Sequence, residues 1–256
     1  MAWSLASLLE HPAYARTLFV ALMLLLWEVS ARAFGDPLFV APPSQVALAV
    51  PDLLRTPGMP SALWTTTWEL LFAFAISLFF GFWAGLFLGR SGFANRSLMP
   101  IVVMLYAMPQ VTIIPIFMMS FGIGPASKVA YGVSHGVFPI ILTVAAGMQN
   151  LKPVLLASSY SMGAKRWQVL RHVLIPHAVR SLFSGMRLGM NATLLGVILA
   201  ELYASKTGVG YFAQKFAVNF DPRMLFALIT IVAALAIIVN EGLRRFEINL
   251  NKWRDP

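Results

Sequence analysis

Hydrophobic residues run through this chain in long, nearly uninterrupted stretches, and charges gather in the short segments between them. A helix needs about 20 mostly apolar residues, at about 1.5 Å rise each, to cross roughly 30 Å of hydrocarbon. Six stretches meet that requirement, at approximately 17–35, 64–88, 98–121, 128–149, 185–204 and 223–243. The pattern predicts an all-α, polytopic membrane protein in which one transmembrane domain of six helices takes up the chain, 1–256.

Detail within the stretches sharpens the picture. Leu70 to Leu88 carries no charge and places Gly81, Gly85 and Gly89 at four-residue intervals, a small-residue row that lets a second helix approach closely. The third stretch holds Pro100, Pro109 and Pro115. Prolines are tolerated in a membrane helix where neighbouring helices or cavity water satisfy the freed carbonyls, so a bend is expected there. Near the N-terminus, Arg16 precedes the apolar run Thr17 to Trp27, but Glu28 and Arg32 follow instead of a small-residue cleavage site. That stretch reads as a retained membrane helix, not a signal peptide.

Composition agrees with lipid as the main solvent. The 256 residues are 59% hydrophobic and 11% charged, with a mean hydropathy of +0.75. Soluble domains run at about 45–50% apolar and about 25% charged. Lys and Arg number 19 against 10 Asp and Glu. With no basic tract interleaved with aromatics, this excess points to membrane topology and away from nucleic acid. An inside N-terminus puts thirteen of the 19 basic residues in the cytoplasm, leaving Arg32, Arg55, Lys128, Lys206, Lys215 and Arg223 outside. The expectation is a multi-pass protein with both termini cytoplasmic. The absence of Cys removes disulfides, thiol catalysis and thiolate metal sites.

Polar groups inside the stretches are candidates for function because their burial in lipid is costly. They are Gln110 and Thr112, Ser134 and His135, Asn191 and Thr193, with Glu28, Glu69 and Glu201 near span ends. Gln110, His135 and Asn191 lie well inside their spans and are the expected pathway residues. Glu201 is expected to pair with Lys206 or Arg223 and shape an outer gate. For each of these residues the competing assignment is an interhelical hydrogen bond or a place at the interface.

The segment from about 150 to 184 carries the most specific pattern. Lys152-Pro153 opens a short helix through Met162; Gly163 then breaks it, and Lys165, Arg166 and Trp167 start an amphipathic run ending at Ile175-Pro176. Pro suits a first helical turn, and Gly suits a helix end at positive φ. Here the chain resembles the permease subunits of ATP-binding-cassette importers, whose cytoplasmic loop follows E-A-A-x3-G-x9-I-x-L-P. Gly163, Val173, Ile175 and Pro176 keep every spacing, whereas Ala157, Ser158 and Ser159 replace the acidic residue and two alanines. Similar too are Trp27-Glu28, Phe39 to Ser44, Met108-Pro109-Gln110, Phe121 to Gly124, Ser184 to Leu188, Ala200-Glu201-Leu202 and Gly208-Val209-Gly210. These resemble the branch that carries sulfonates, taurine and nitrate, and relatives that carry bicarbonate, vitamin-precursor pyrimidines or riboflavin-like compounds share them.

The resemblance implies a type I importer permease fold in the bacterial inner membrane. It implies ATPase subunits docking on a coupling helix around Leu155, Leu156, Ala157, Ser159, Tyr160, Met162, Gly163, Lys165 and Arg166, with Pro176 closing the motif. It also implies a second permease copy and a periplasmic substrate-binding protein. The chain contains no G-x4-G-K-[ST] loop to cradle phosphates, so ATP and Mg belong to the ATPase subunit and no cofactor to this chain. The rival readings are an ion-gradient-driven secondary transporter, which calls for internal repeats not seen in the sequence, and an intramembrane enzyme, which calls for clustered nucleophiles or metal ligands.

Overall fold

The computed structural model describes residues 12–251; Lys252 and Arg254, counted above among the inner charges, lie outside the described residues. No strand occurs among the described residues. The helices in chain order are α1 (Pro12–Phe34), α2 (Pro43–Arg55), α3 (Met59–Arg90), α4 (Gly92–Ala107), α5 (Ile114–Phe121), α6 (Pro125–Gln149), α7 (Pro153–Ser161), α8 (Arg166–Tyr203), α9 (Val209–Val218) and α10 (Pro222–Asn251). Among the described residues, five helical stretches are long and apolar enough to cross a membrane: Tyr14–Phe34, Met59–Arg90, Pro125–Gln149, Arg166–Tyr203 and Pro222–Arg245. Gly92–Ala107 and Gln110–Phe121 qualify only together, as a pair bent by 84°.

The chain divides into two compact units. The first holds α1, α2 and residues 212–232. Its α2 begins at a carboxylate: Glu28 of α1 accepts from the Ser44 N–H at 2.9 Å and the Ser44 hydroxyl at 2.7 Å. Negative charge is favoured beside the unpaired N–H groups of a helix start. Trp27 meets Phe226 edge to face at 5.5 Å, and Asp52 pairs with Arg223 at 2.7 Å.

The second unit spans residues 61–211 and the chain from 233 onward. Its core is aliphatic and aromatic, with Leu70 and Phe74 of α3 meeting Ile140, Val144 and Met148 of α6 and Phe183, Met186 and Met190 of α8. The predicted glycine row is where α3 and α6 touch. A Cβ on Gly81 would lie 2.7 Å from Ile140 Cγ2, on Gly85 2.8 Å from the Ile141 carbonyl, and on Gly89 2.5 Å from Met148 Cβ. Helices in lipid gain no hydrophobic drive from meeting, so such close packing supplies the attraction.

Two expectations need correction. The amphipathic run from Lys165 does not end at Pro176, and the fifth stretch does not begin at residue 185: one helix runs from Arg166 to Tyr203. A π-helical turn at Leu170–Leu174 precedes the proline, closed by Ile175 N–H donating to the Leu170 carbonyl. This wider turn accommodates a ring that would otherwise strike the carbonyl four residues back, so the helix continues. In the third stretch the expected bend is present, and at Pro109 it is sharp enough, 84°, to break the helix. Met108 is pushed to ψ 142°, as a residue before proline prefers, and the chain restarts in a 3-10 turn, Gln110–Ile113. The Pro109 carbonyl opens that turn, accepting from both the N–H and the hydroxyl of Thr112, at 3.1 and 2.8 Å.

Candidate functional site

Helices α6 and α8 run side by side within the second unit, and their two ends differ in chemistry. At one end lies a buried charged cluster. Lys128, in the first turn of α6, places Nζ 2.6 Å from Glu69 Oε1 of α3 and 3.8 Å from Glu201 Oε1 of α8. These three side chains are between 0 and 2% exposed. The Thr66 hydroxyl donates to Glu201 Oε1 at 2.7 Å and accepts from the Val209 N–H at 2.9 Å. The Gly210 N–H donates to Glu201 Oε2 at 2.9 Å. Gly208, at φ +101°, brings the 205–210 turn over the carboxylate so closely that a Cβ there would sit 1.9 Å from Glu201 Oε1. Both the backbone conformation and the space require glycine.

Glu201 therefore does not pair with Lys206 or Arg223 as expected. Lys206 is exposed, Arg223 binds Asp52, and the cation that reaches Glu201 comes from α6. The charge count alone gives Lys128 no partner. Its position at the head of an otherwise uncharged stretch, with Glu69 at the edge of another, was the available signal. Two of the quoted resemblance segments, Ala200-Glu201-Leu202 and Gly208-Val209-Gly210, are the two sides of this cluster.

About 30 Å away along α6, at about 1.5 Å per residue, the chain turns through Asn150 into α7. Leu155, Tyr160 and Met162 are 46, 53 and 80% exposed. Gly163 takes φ +79°, and the chain re-enters a helix three residues later at Arg166. Lys165 and Arg166 are exposed, and so is Ala157. Two residues expected on the docking face point inward instead: Leu156 packs on the core cluster, and Ser159 is buried with its hydroxyl on the Leu155 carbonyl at 2.7 Å. Residues 156 and 159 are three apart and so neighbours on the helix surface, while Met162 lies just past the last turn, Pro153–Ser161. Val154 and Trp167, 60 and 64% exposed, extend the apolar surface and were not anticipated.

The remaining polar candidates separate into two places. Gln110 and His135 come together through Ser134, whose hydroxyl lies 3.5 Å from Gln110 Oε1 and 3.4 Å from His135 Nδ1. His135 is buried; its Nδ1 lies 3.2 Å from the Tyr131 carbonyl and its ring packs where Gly196 leaves room. Asn191 is not with them: it is exposed on α8 and accepts from Asn240 Nδ2 of α10 at 2.7 Å. Thr193 is fully buried at the α6–α8 contact, its hydroxyl on the Gly189 carbonyl.

An α-helical bundle in lipid, with a buried ionic cluster at one end and an exposed apolar helix at the other, has the form of a subunit that works against a partner. The family of binding-protein-dependent transport system inner membrane components matches residues 77–247. The chain belongs to this family. It is 27% identical over 248 residues to the formylaminopyrimidine transport permease protein ThiX of Halalkalibacterium halodurans, covering 96% of this chain and 98% of the relative. It is likewise 27% identical over 235 residues to the taurine transport system permease protein TauC of Escherichia coli, covering 89% and 84%. Its fold matches a chain of the inward-facing MetNI methionine ABC transporter with a TM-score of 0.63 at 21% identity, over 75% of this chain and 97% of that one. This binding-protein-dependent permease has the type I ABC importer permease fold. It is a multi-pass inner-membrane transport subunit and not an enzyme, in a family whose ATPase and substrate-binding protein are separate partners.

Proposed function

We propose that the permease acts as a homodimer in which α7 is the coupling helix that receives the ATPase. The observation that carries this is the exposed apolar face of Leu155, Tyr160 and Met162, joined through Gly163 to the 38-residue helix α8. Apolar side chains at the end of a membrane helix, followed by Lys165 and Arg166, suit an apolar groove with an acidic rim. Only four residues separate α7 from α8, so movement of the docked helix passes directly into the bundle. ATP and Mg2+ act on the partner, and the permease converts ATPase closure into helix motion. Both termini are cytoplasmic under the thirteen-to-six charge division. Gln110 and His135, with Asn191 on a separate face, are the proposed pathway contacts, and Glu201 holds the opposite end of the bundle.

The solute is a small anion of the taurine or sulfonate kind, or a small organic compound such as a pyrimidine, delivered by the binding protein. ThiX and TauC support this range by their names and near-complete coverage. Co-purification tests the coupling assignment: Tyr160→Ala with Met162→Ala should leave the permease inserted yet lose the ATPase and uptake. Retained ATPase and normal uptake would place coupling elsewhere. Single cysteines at Ser44 and Ser158 test orientation in this Cys-free chain, with an impermeant thiol reagent expected to reach only position 44 from outside.

A further inference from the structure

The buried cluster does not balance in charge. Glu69 and Glu201 bring two carboxylates, Lys128 one ammonium, and all three are sealed from solvent. The other groups that reach the carboxylates are neutral donors: the Thr66 hydroxyl and the Gly210 N–H. Thr207, 3.4 Å from Lys128 Nζ, is also neutral. The charged groups facing each carboxylate are Lys128 of α6 and the other carboxylate, one from α3 and one from α8. An uncompensated negative charge in such a place is strongly disfavoured, and a carboxyl group under these conditions neutralises by taking a proton.

We infer that Glu69, Glu201 and Lys128 form a proton-binding site that holds one proton, carried by Glu69. The division follows from the bonds each carboxylate makes. Glu201 is provided for as an anion, since its two oxygens receive Thr66 Oγ1 at 2.7 Å and the Gly210 N–H at 2.9 Å. Glu69 is fully buried; one oxygen faces Lys128 Nζ at 2.6 Å, its other bond is with Glu201, and among the described residues no backbone N–H or hydroxyl donates to it. A protonated Glu69 keeps a carbonyl oxygen toward the ammonium and gives its O–H to the Glu201 carboxylate, with which it is hydrogen-bonded. The cluster then sums to zero, with Lys128 and Glu201 as the one ion pair. Two carboxyl groups sharing a site titrate as a pair, so the proton count belongs to the cluster and follows its integrity. Any movement that separates α3, α6 and α8 at this end must either release that proton or carry it on Glu69.

Infrared spectroscopy of the full chain in lipid nanodiscs at neutral pH tests the inference. One carboxylic-acid C=O band per chain is expected, shifting in deuterium oxide. Glu69→Gln should abolish it, and Glu201→Gln should abolish it too, because Glu69 then becomes the counter-ion of Lys128. Each single variant keeps the cluster neutral and should give the wild-type yield of monodisperse protein. Glu69→Gln with Glu201→Gln strands the ammonium and should lose it. Absence of the band in the wild-type protein overturns the proposal, as does collapse of both single variants. A wild-type protein whose thermal stability depends on sodium relative to choline, with no acid band, assigns the missing charge to a bound cation and equally overturns it.

Discussion

The two ends of the α6–α8 pair solve opposite problems. At the Lys128 end, charged groups are withdrawn from solvent and bonded to one another, so the chain completes its own chemistry. At the α7 end, Leu155, Tyr160, Met162 and Trp167 are left uncovered, so a partner must complete it. Directional charged bonds hold three helices at a fixed separation, because a buried ion tolerates little loss of its partner. Exposed apolar groups hold nothing until another surface arrives, and they bind by area and shape. One end therefore gives the bundle a fixed register while the other is free to be pushed.

The most severe way to break this contrast is at the charged end. Lys128→Met leaves two carboxyl groups without their cation, and removing one partner of a buried pair costs about 3–5 kcal/mol. Thermal unfolding of the purified permease should show the largest drop of any variant considered, with loss of uptake secondary to loss of folded protein. If Lys128→Met unfolds like the parent chain, the cluster does not hold this end together.

At the open end, the expected loss is in assembly and not in folding. Truncating Tyr160 and Met162 together should cost about 2–4 kcal/mol of ATPase binding, or one to three orders of magnitude in affinity. Unfolding of the permease alone should barely change, because both side chains are exposed. A double variant that unfolds early while retaining the ATPase would reverse the assignment of the two ends.

Between them lies the α3–α6 seam, where Gly85→Leu should overpack the contact with Ile141 and Val144 and cost about 1–3 kcal/mol. The loss should appear in the unfolding midpoint and leave ATPase binding to the folded fraction intact. Smallest of all is Ser159→Ala. Its hydroxyl bonds only to its own helix at Leu155, and such back-bonding contributes little, so about 0.5 kcal/mol or less is expected. ATPase retention should be unchanged; a large loss would mean that Ser159 reaches the partner after all.

Sequence spacing was informative wherever the responsible forces are local. The helix break at Gly163 followed from the need for a residue that accepts positive φ, and the structure gives +79°. The row at Gly81, Gly85 and Gly89 followed from helical periodicity, although its partner, α6, did not. Local reasoning failed at Pro176, where the helix continues, and at Pro109 it gave the bend but not the break. The same residue type continues a helix in one case and breaks it in the other. Near Pro176 a π turn makes room, and after Pro109 the chain restarts in a 3-10 turn whose first carbonyl is bonded by Thr112.

The sequence by itself determined the all-helical membrane class, the kinship of the chain and the break that frees α7, since each depends on composition or on residues close in the chain. Only the tertiary structure decided which charges meet. Lys206 is five residues from Glu201 and remains exposed, whereas Thr66 comes from 135 residues away and Lys128 from another helix. It also decided that Leu156 and Ser159 turn inward while Val154 and Trp167 stay out, and that Asn191 stands apart from Gln110 and His135. Proximity of polar groups in a membrane bundle is set by which helix faces pack together. That choice depends on the close fit of glycine rows and core side chains over the whole of each helix, and no single stretch of the chain contains it.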